Sequence, residues 1–348
     1  MASLLAVLPS DPLPPQWLNL RTYWLLAVVL VALAITWLVG FLLERRHGAN
    51  VDTALLRRLN HRVKAWWLMA AILVLGFLLQ RPGTVLLFGL VSFWALREFV
   101  TMTPTRRGDH RALFWTFMII TPLQYLLIGL GSNAPRWLTK GQETDLYSLY
   151  SIMIPVYATL FVPARIAFSG DAKRFLERTA KILAALLICV YSLSFAPALL
   201  NLRLTTSNGQ PWSGSPVSVL FFLVLIAQLA DVLQFAWTRL AGKTPVAPAI
   251  NASRTWEGLG GSLVTTALIG GALYWATPFQ PWEAALMSML VAAMAFAGGL
   301  TMSAIKRDRG VTDTGTLVVG HPGLLDRIDN VCFAAPVFYH LTRFFFTA

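Results

Sequence analysis

The acidic and basic residues best equipped for chemistry gather in the last third of the chain. Ser303, Lys306 and Arg307 fall on one helical face by their three- and four-residue spacing, and Asp326 and Asp329 share another. Asp313, His321 and several glycines lie between these two groups. Carboxylates hold hard cations such as Mg²⁺, while lysine and arginine hold phosphates. The mixture therefore suits cation-assisted phosphoryl or nucleotidyl transfer. His321 has no His or Cys neighbour, which makes it a poor zinc ligand and suits it to orienting a loop or a phosphate.

Two upstream stretches add to this cluster. Asp231 lies near the end of the apolar run 215–236, one turn after Gln228. A carboxylate within a span is costly and marks a candidate site, although read alone it is equally a side chain reaching out to interfacial water. The loop that follows carries Lys243 and Arg254 among glycines and hydroxyls, a composition suited to phosphate. Gly260 and Gly261 read as small residues for close helix packing. Asn251-Ala-Ser has the form of a glycosylation sequon, which the topology below places on the wrong side of a membrane.

The elements that must position these groups are transmembrane helices. The chain has 348 residues, of which 56% are hydrophobic and only 13% charged. Soluble domains carry about 25% charged residues, so an ordinary soluble protein is excluded. The apolar residues form long runs without period-2 alternation, which argues against an outer-membrane barrel. Ten segments stand out, at about 22–43, 65–79, 84–96, 113–130, 146–162, 182–200, 215–236, 262–276, 282–299 and 331–346. The second and third are short enough to form a single hairpin. The expected fold is all-α, a polytopic helical protein of about ten spans. Its N-terminal transmembrane region covers 1–214 and its C-terminal catalytic region 215–348. Cys189 and Cys332 sit in apolar stretches and read as core thiols.

Basic residues sort these loops by side. Counting alternate loops, 22 of the 28 Lys and Arg residues fall on one side, the side that carries the polar cluster. By the positive-inside rule that side is cytoplasmic and both termini lie outside. The net charge of +12 thus reflects topology, and no nucleic-acid partner is expected. Two basic loops, 51–64 and 171–178, carry amphipathic stretches that suit either a solvated loop or contact with anionic lipid. In the second, a helix is expected to start at Ser169 or Asp171.

The cluster resembles the signature of the phosphatidate cytidylyltransferase family, also called CDP-diglyceride synthases. Ser303, Lys306, Arg307, Asp313, Gly315, His321, Gly323, Asp326, Arg327 and Asp329 match it at the same spacing. The similarity extends back through Asp231, Gly242-Lys243 and the stretch Arg254 to Gly258, which looks like the family's Lys-Thr-Trp-Glu-Gly. It covers residues 220–348. Three departures stand out. Thr312 replaces a lysine, Pro322 replaces a glycine, and Gly299 and Met302 stand where the family carries acidic residues.

The resemblance implies transfer of CMP from CTP to phosphatidate, with Mg²⁺ as cofactor, in a multi-pass protein of the inner (plasma) membrane. It implies Mg²⁺ ligation by Asp231, Asp313, Asp326 and Asp329, with Lys306 and Arg307 acting beside them in catalysis. Substrate is expected to meet Lys243, Arg254, Ser303, His321 and Arg327. The expected partners are CTP, phosphatidate and the bilayer, and a homodimer is an open assembly. The departures keep other readings open: a different lipid acceptor, a kinase-like enzyme, or a silent lipid-binding relative.

The topology is directly testable. Cysteines placed at 106 and 313 are expected to escape an impermeant thiol reagent in intact cells, while one at 140 reacts. Labelling at 313 without labelling at 140 overturns the assignment.

Overall fold

The computed structural model describes residues 19–45, scattered positions within 67–78, and residues 80–103, 105–131, 146–311 and 323–347. Among the described residues the elements are helices apart from one small hairpin. In order, the elements are α1 (Leu20–Arg45), α2 (Gln80–Met102), α3 (Arg107–Leu130), α4 (Tyr147–Ala167), α5 (Phe175–Asn201) and α6 (Pro216–Ala241). There follow β1 (Pro245–Ala247), the single turn α7 (Pro248–Asn251), β2 (Ala252–Thr255), α8 (Trp256–Ala272), α9 (Pro281–Arg309) and α10 (Leu325–Phe345). β1 and β2 pair antiparallel, with Pro245 opposite Thr255.

Six of these helices, α2 to α6 and α9, are long and apolar enough to cross a membrane. The remaining apolar segments fall short for visible reasons. α8 has only 17 residues. α10 is interrupted by polar groups that meet protein partners: the Asn330 side chain donates to Ala227 O at 3.0 Å, and the Tyr339 and Tyr150 hydroxyls meet at 2.5 Å. In α1 the apolar stretch is Leu20–Val31. The segment 65–79 falls largely outside the described residues, as does the amphipathic stretch 51–64.

Three helices contain π-helical stretches, at Thr116–Ile120, Met153–Ala158 and Leu186–Ser192. Each contains or precedes a proline, at Pro122, Pro155 or Pro197, which lacks the N–H of a regular helix. Hydroxyls supply donors to nearby carbonyls. Thr121 donates to Thr116 O at 2.9 Å, Thr159 to Ile154 O at 3.1 Å, and Ser92 of α2 to Cys189 O of α5 at 2.6 Å. Such local repair lets an irregular helix persist in an apolar medium.

One hydrophobic core runs through both halves of the chain, from Phe88 and Leu96 of α2 to Phe222 of α6 and Phe338 of α10. Cys189 and Cys332 are buried free thiols within it, as expected. α10 packs on α5, α6 and α9 and ties the two halves together. The basic stretch 171–178 differs from expectation. Asp171 accepts the Lys173 N–H in a local turn, and the helix begins only at Phe175, after Arg174 in a left-handed conformation with φ 50°. Arg178 is buried against Asp109, 2.8 Å from Nε to Oδ1, so it is not a lipid-facing cation.

Helix approach depends on small residues at defined places. A Cβ on Gly261 would lie 2.4 Å from the Trp237 ring, and one on Gly298 would lie 2.7 Å from Asp329 O. Gly260, expected to pack likewise, faces open space. Of the two, its neighbour Gly261 makes the close approach to α6. Gly298→Val is expected to force α9 from α10 and to lower stability by about 1–3 kcal/mol. Thermal unfolding in detergent measures this; an unchanged midpoint contradicts the close approach.

Candidate functional site

Polar helix ends collect in one place, as the Lys306–Asp326 and Arg254–Asp231 contacts show. α6 and α9 finish there, and α8 and α10 begin there. α6 and α10 are stitched by two amides: Gln228 Nε2 donates to Arg327 O at 2.8 Å, and Asn330 donates back to α6. α8 joins through Ser262, whose hydroxyl donates to Ala230 O at 2.8 Å. These bonds set the height at which Asp231, Asp326 and Asp329 face one another.

Each carboxylate meets basic or polar groups. Lys306 Nζ lies 2.9 Å from Asp326 Oδ1, joining the end of α9 to the start of α10. Arg254 Nη2 lies 3.0 Å from Asp231 Oδ1. Its guanidinium also lies over the Phe296 ring at 5.3 Å, and its Nη1 is buried without a hydrogen-bond acceptor. Asp329 stands within the electrostatic reach of Asp231, Arg254 and Asp326, and its Oδ1 accepts the Asn330 N–H at 2.7 Å. Ser303 donates to Gly299 O at 2.7 Å and receives Asn251 Nδ2 at 3.0 Å. Arg307 reaches Ile250 O at 3.2 Å, so α7 and its hairpin rest on α9.

The hairpin is braced at its other side by Glu257 in the first turn of α8. The Thr244 hydroxyl and the Lys243 and Thr244 N–H groups all donate to it. These bonds, the Thr244 hydroxyl first, pull the Glu257 carboxyl down to about 2. Lys243 itself is exposed.

The structure thus brings together Asp231, Arg254, Ser303, Lys306, Asp326 and Asp329, with Arg307 on the rim. Arg327 lies in the first turn of α10 between the two aspartates. Asp313 and His321 lie outside the described residues, and so do Thr312 and Pro322. Among the described residues no three His, Cys, Asp or Glu side chains form a metal-holding group. Two carboxylates with substrate phosphates are nevertheless a usual Mg²⁺ environment, and the oxygen donors of Asp231 and Asp329 suit that hard cation.

Positions 299 and 302 have separate explanations. Met302 is fully buried in the hydrophobic core. Gly299 lies under Arg254, whose Nη2 would be 2.0 Å from a Cβ there.

Glu98 escaped the sequence reading. It is a buried carboxylate on α2, and it accepts the N–H groups of Leu324 and Leu325 at 3.0 and 2.8 Å. It also accepts the Trp94 indole N–H at 3.2 Å. Glu98 thereby caps the start of the helix that carries Asp326 and Asp329, where the helix dipole favours an anion. Its only sequence signal was an acidic residue just past the apolar run 84–96, near the end of α2.

Residues 60–345 match the sequence model of the cytidylyltransferase family. The chain is 33% identical over 325 residues to the Escherichia coli (strain K12) protein described as uncharacterized protein YnbB, covering 92% of this chain and 96% of that protein. It is 40% identical over 119 residues to the phosphatidate cytidylyltransferase of Mycobacterium leprae, 34% of this chain and 38% of that one. With the phosphatidate cytidylyltransferase of Staphylococcus haemolyticus it shares 24% over 274 residues, 78% of this chain and 94% of that one.

Glu98→Ala is expected to leave the first N–H groups of α10 unpaired and to cost on the order of 2–3 kcal/mol. Amide hydrogen exchange at Leu324 and Leu325 should accelerate, with partial recovery in Glu98→Gln. Unaltered exchange in the alanine variant rules out the cap.

Proposed function

The chain belongs to the cytidylyltransferase family, and from that premise we propose that it transfers CMP from CTP to phosphatidate, releasing pyrophosphate and forming CDP-diacylglycerol at the cytoplasmic face of the plasma membrane. The observation that carries this reading is the meeting of the Lys306–Asp326 and Arg254–Asp231 pairs where α6, α8, α9 and α10 end or begin. A bilayer-dwelling substrate keeps its acyl chains among the spans, and its phosphate then arrives at this polar end.

A phosphatidate oxygen forms the new bond to the α-phosphorus of CTP as the bond to the pyrophosphate leaving group breaks. That oxygen is already ionised near neutral pH, so no side-chain base is required. The protein's task is to hold two mutually repelling anions in line, and catalysis is mostly positioning and charge neutralisation. Lys306, Arg307 and Arg327 hold the triphosphate and the acceptor phosphate, with Lys243 and Arg254 contributing from the hairpin side. Ser303 and His321 orient these groups. Mg²⁺, when bound, neutralises phosphate charge as a Lewis acid. Asp231, Asp329 and Asp326 would hold it, with Asp313 from the connecting segment. The pairing of Asp326 with Lys306 keeps the lysine at the mouth of the site when substrate is absent.

Purified protein with labelled CTP, Mg²⁺ and phosphatidate should place label in lipid. Asp326→Ala should fall to background. Asp231→Asn should fold in the membrane but lose on the order of a hundredfold in turnover, because the amide keeps an oxygen ligand and loses the charge. Background counts from wild type and Asp326→Ala alike defeat the phosphatidate reading. Counts that appear only with another lipid phosphate assign the acceptor there.

A further inference from the structure

The Arg254–Asp231 pair is not an ordinary surface ion pair. Asp231 is half exposed, with 49% of its side chain accessible, whereas Arg254 has 12%. The arginine makes one hydrogen-bonded contact with the carboxylate, lies over Phe296, and leaves Nη1 buried with no acceptor. A guanidinium has five N–H donors and ordinarily satisfies more of them. Its place here is set by charge and by space, and the space exists because residue 299 has no side chain. A Cβ at 299 would lie 2.0 Å from Nη2 and 2.6 Å from the central guanidinium carbon. A Cβ there would require the guanidinium to move from this position, so the bare backbone at 299 makes room for Arg254 where it meets Asp231.

We propose that Arg254, admitted by Gly299, is a resident cation of the acidic site that competes with a divalent cation for Asp231. Its positive charge is paired with Asp231 and acts within electrostatic reach of Asp329, the two carboxylates that a divalent ion would use. The guanidinium neutralises the site when it is empty and weakens the hold on an incoming divalent ion. Arg254 and Gly299 are positioning residues in this scheme. The inference rests on the reading of Asp231 as a cation ligand.

The test is Mn²⁺ binding to the purified full chain in detergent, without nucleotide, read as the loss of the free-ion signal in electron paramagnetic resonance. Removing a positive charge a few ångströms from the ligand is expected to tighten Mn²⁺ binding about tenfold in Arg254→Ala. Arg254→Gln, which retains bulk over Phe296, should shift the same way and guards against a folding defect. Gly299→Ala displaces the guanidinium from its present position and should also tighten binding. The double variant Arg254→Ala/Gly299→Ala should bind no tighter than Arg254→Ala alone. Asp231→Asn should weaken binding in every background.

Equal or weaker Mn²⁺ affinity in Arg254→Gln and Gly299→Ala overturns the proposal. If Asp231→Asn still weakens binding in that case, the metal role of Asp231 stands without it. Absence of Mn²⁺ binding in wild type and all variants removes both.

Discussion

An ionised carboxylate beside hydrocarbon must find a cation or a row of N–H donors, and the polar end of this bundle is organised around that requirement. Asp231 is met by Arg254 from the hairpin, Asp326 by Lys306 from α9, and Glu98 by the first N–H groups of α10. In every case the partner comes from a different element. The charges therefore link helices as well as equip a site. Removing one partner disturbs both the alignment of two elements and the field in which a phosphate would sit.

α10 is the element on which these links converge. Its start is capped by α2, its first turns are stitched to α6, and in its far half Tyr339 and His340 sit in an aromatic cluster with Tyr150 and Phe195. The two aspartates are thus carried on a helix anchored at both ends. Preorganised groups cost no rearrangement when charge arrives, which suits a reaction whose main obstacle is repulsion between anions.

Much of this was legible in the sequence. Apolar runs marked the helices, because a span must satisfy its backbone internally and so writes itself as a long hydrophobic stretch. The Lys306–Asp326 neighbourhood could be read from local spacing and the family signature. Other features were hidden because they join distant segments. Glu98 and Leu325 are separated by most of the chain, and one acidic residue at the edge of an apolar run does not name its partner. Gly260 and Gly261 are identical letters, yet only one meets a neighbour, since helix rotation decides which face is in contact. The helix expected near Asp171 begins later because that side chain folds back on its own loop. The absence of acids at 299 and 302 looked like one loss, whereas one position lies in the core and the other beneath a guanidinium.

The contact between Arg254 and Gly299 also carries an evolutionary consequence. Two residues 45 positions apart share one volume, so neither is free to drift alone. A side chain gained at 299 displaces the guanidinium of residue 254, and a short residue at 254 lifts that constraint on 299. The pair therefore behaves as a single inherited character, and its two letters together, more than either alone, sort homologous chains by how their acidic centre is neutralised.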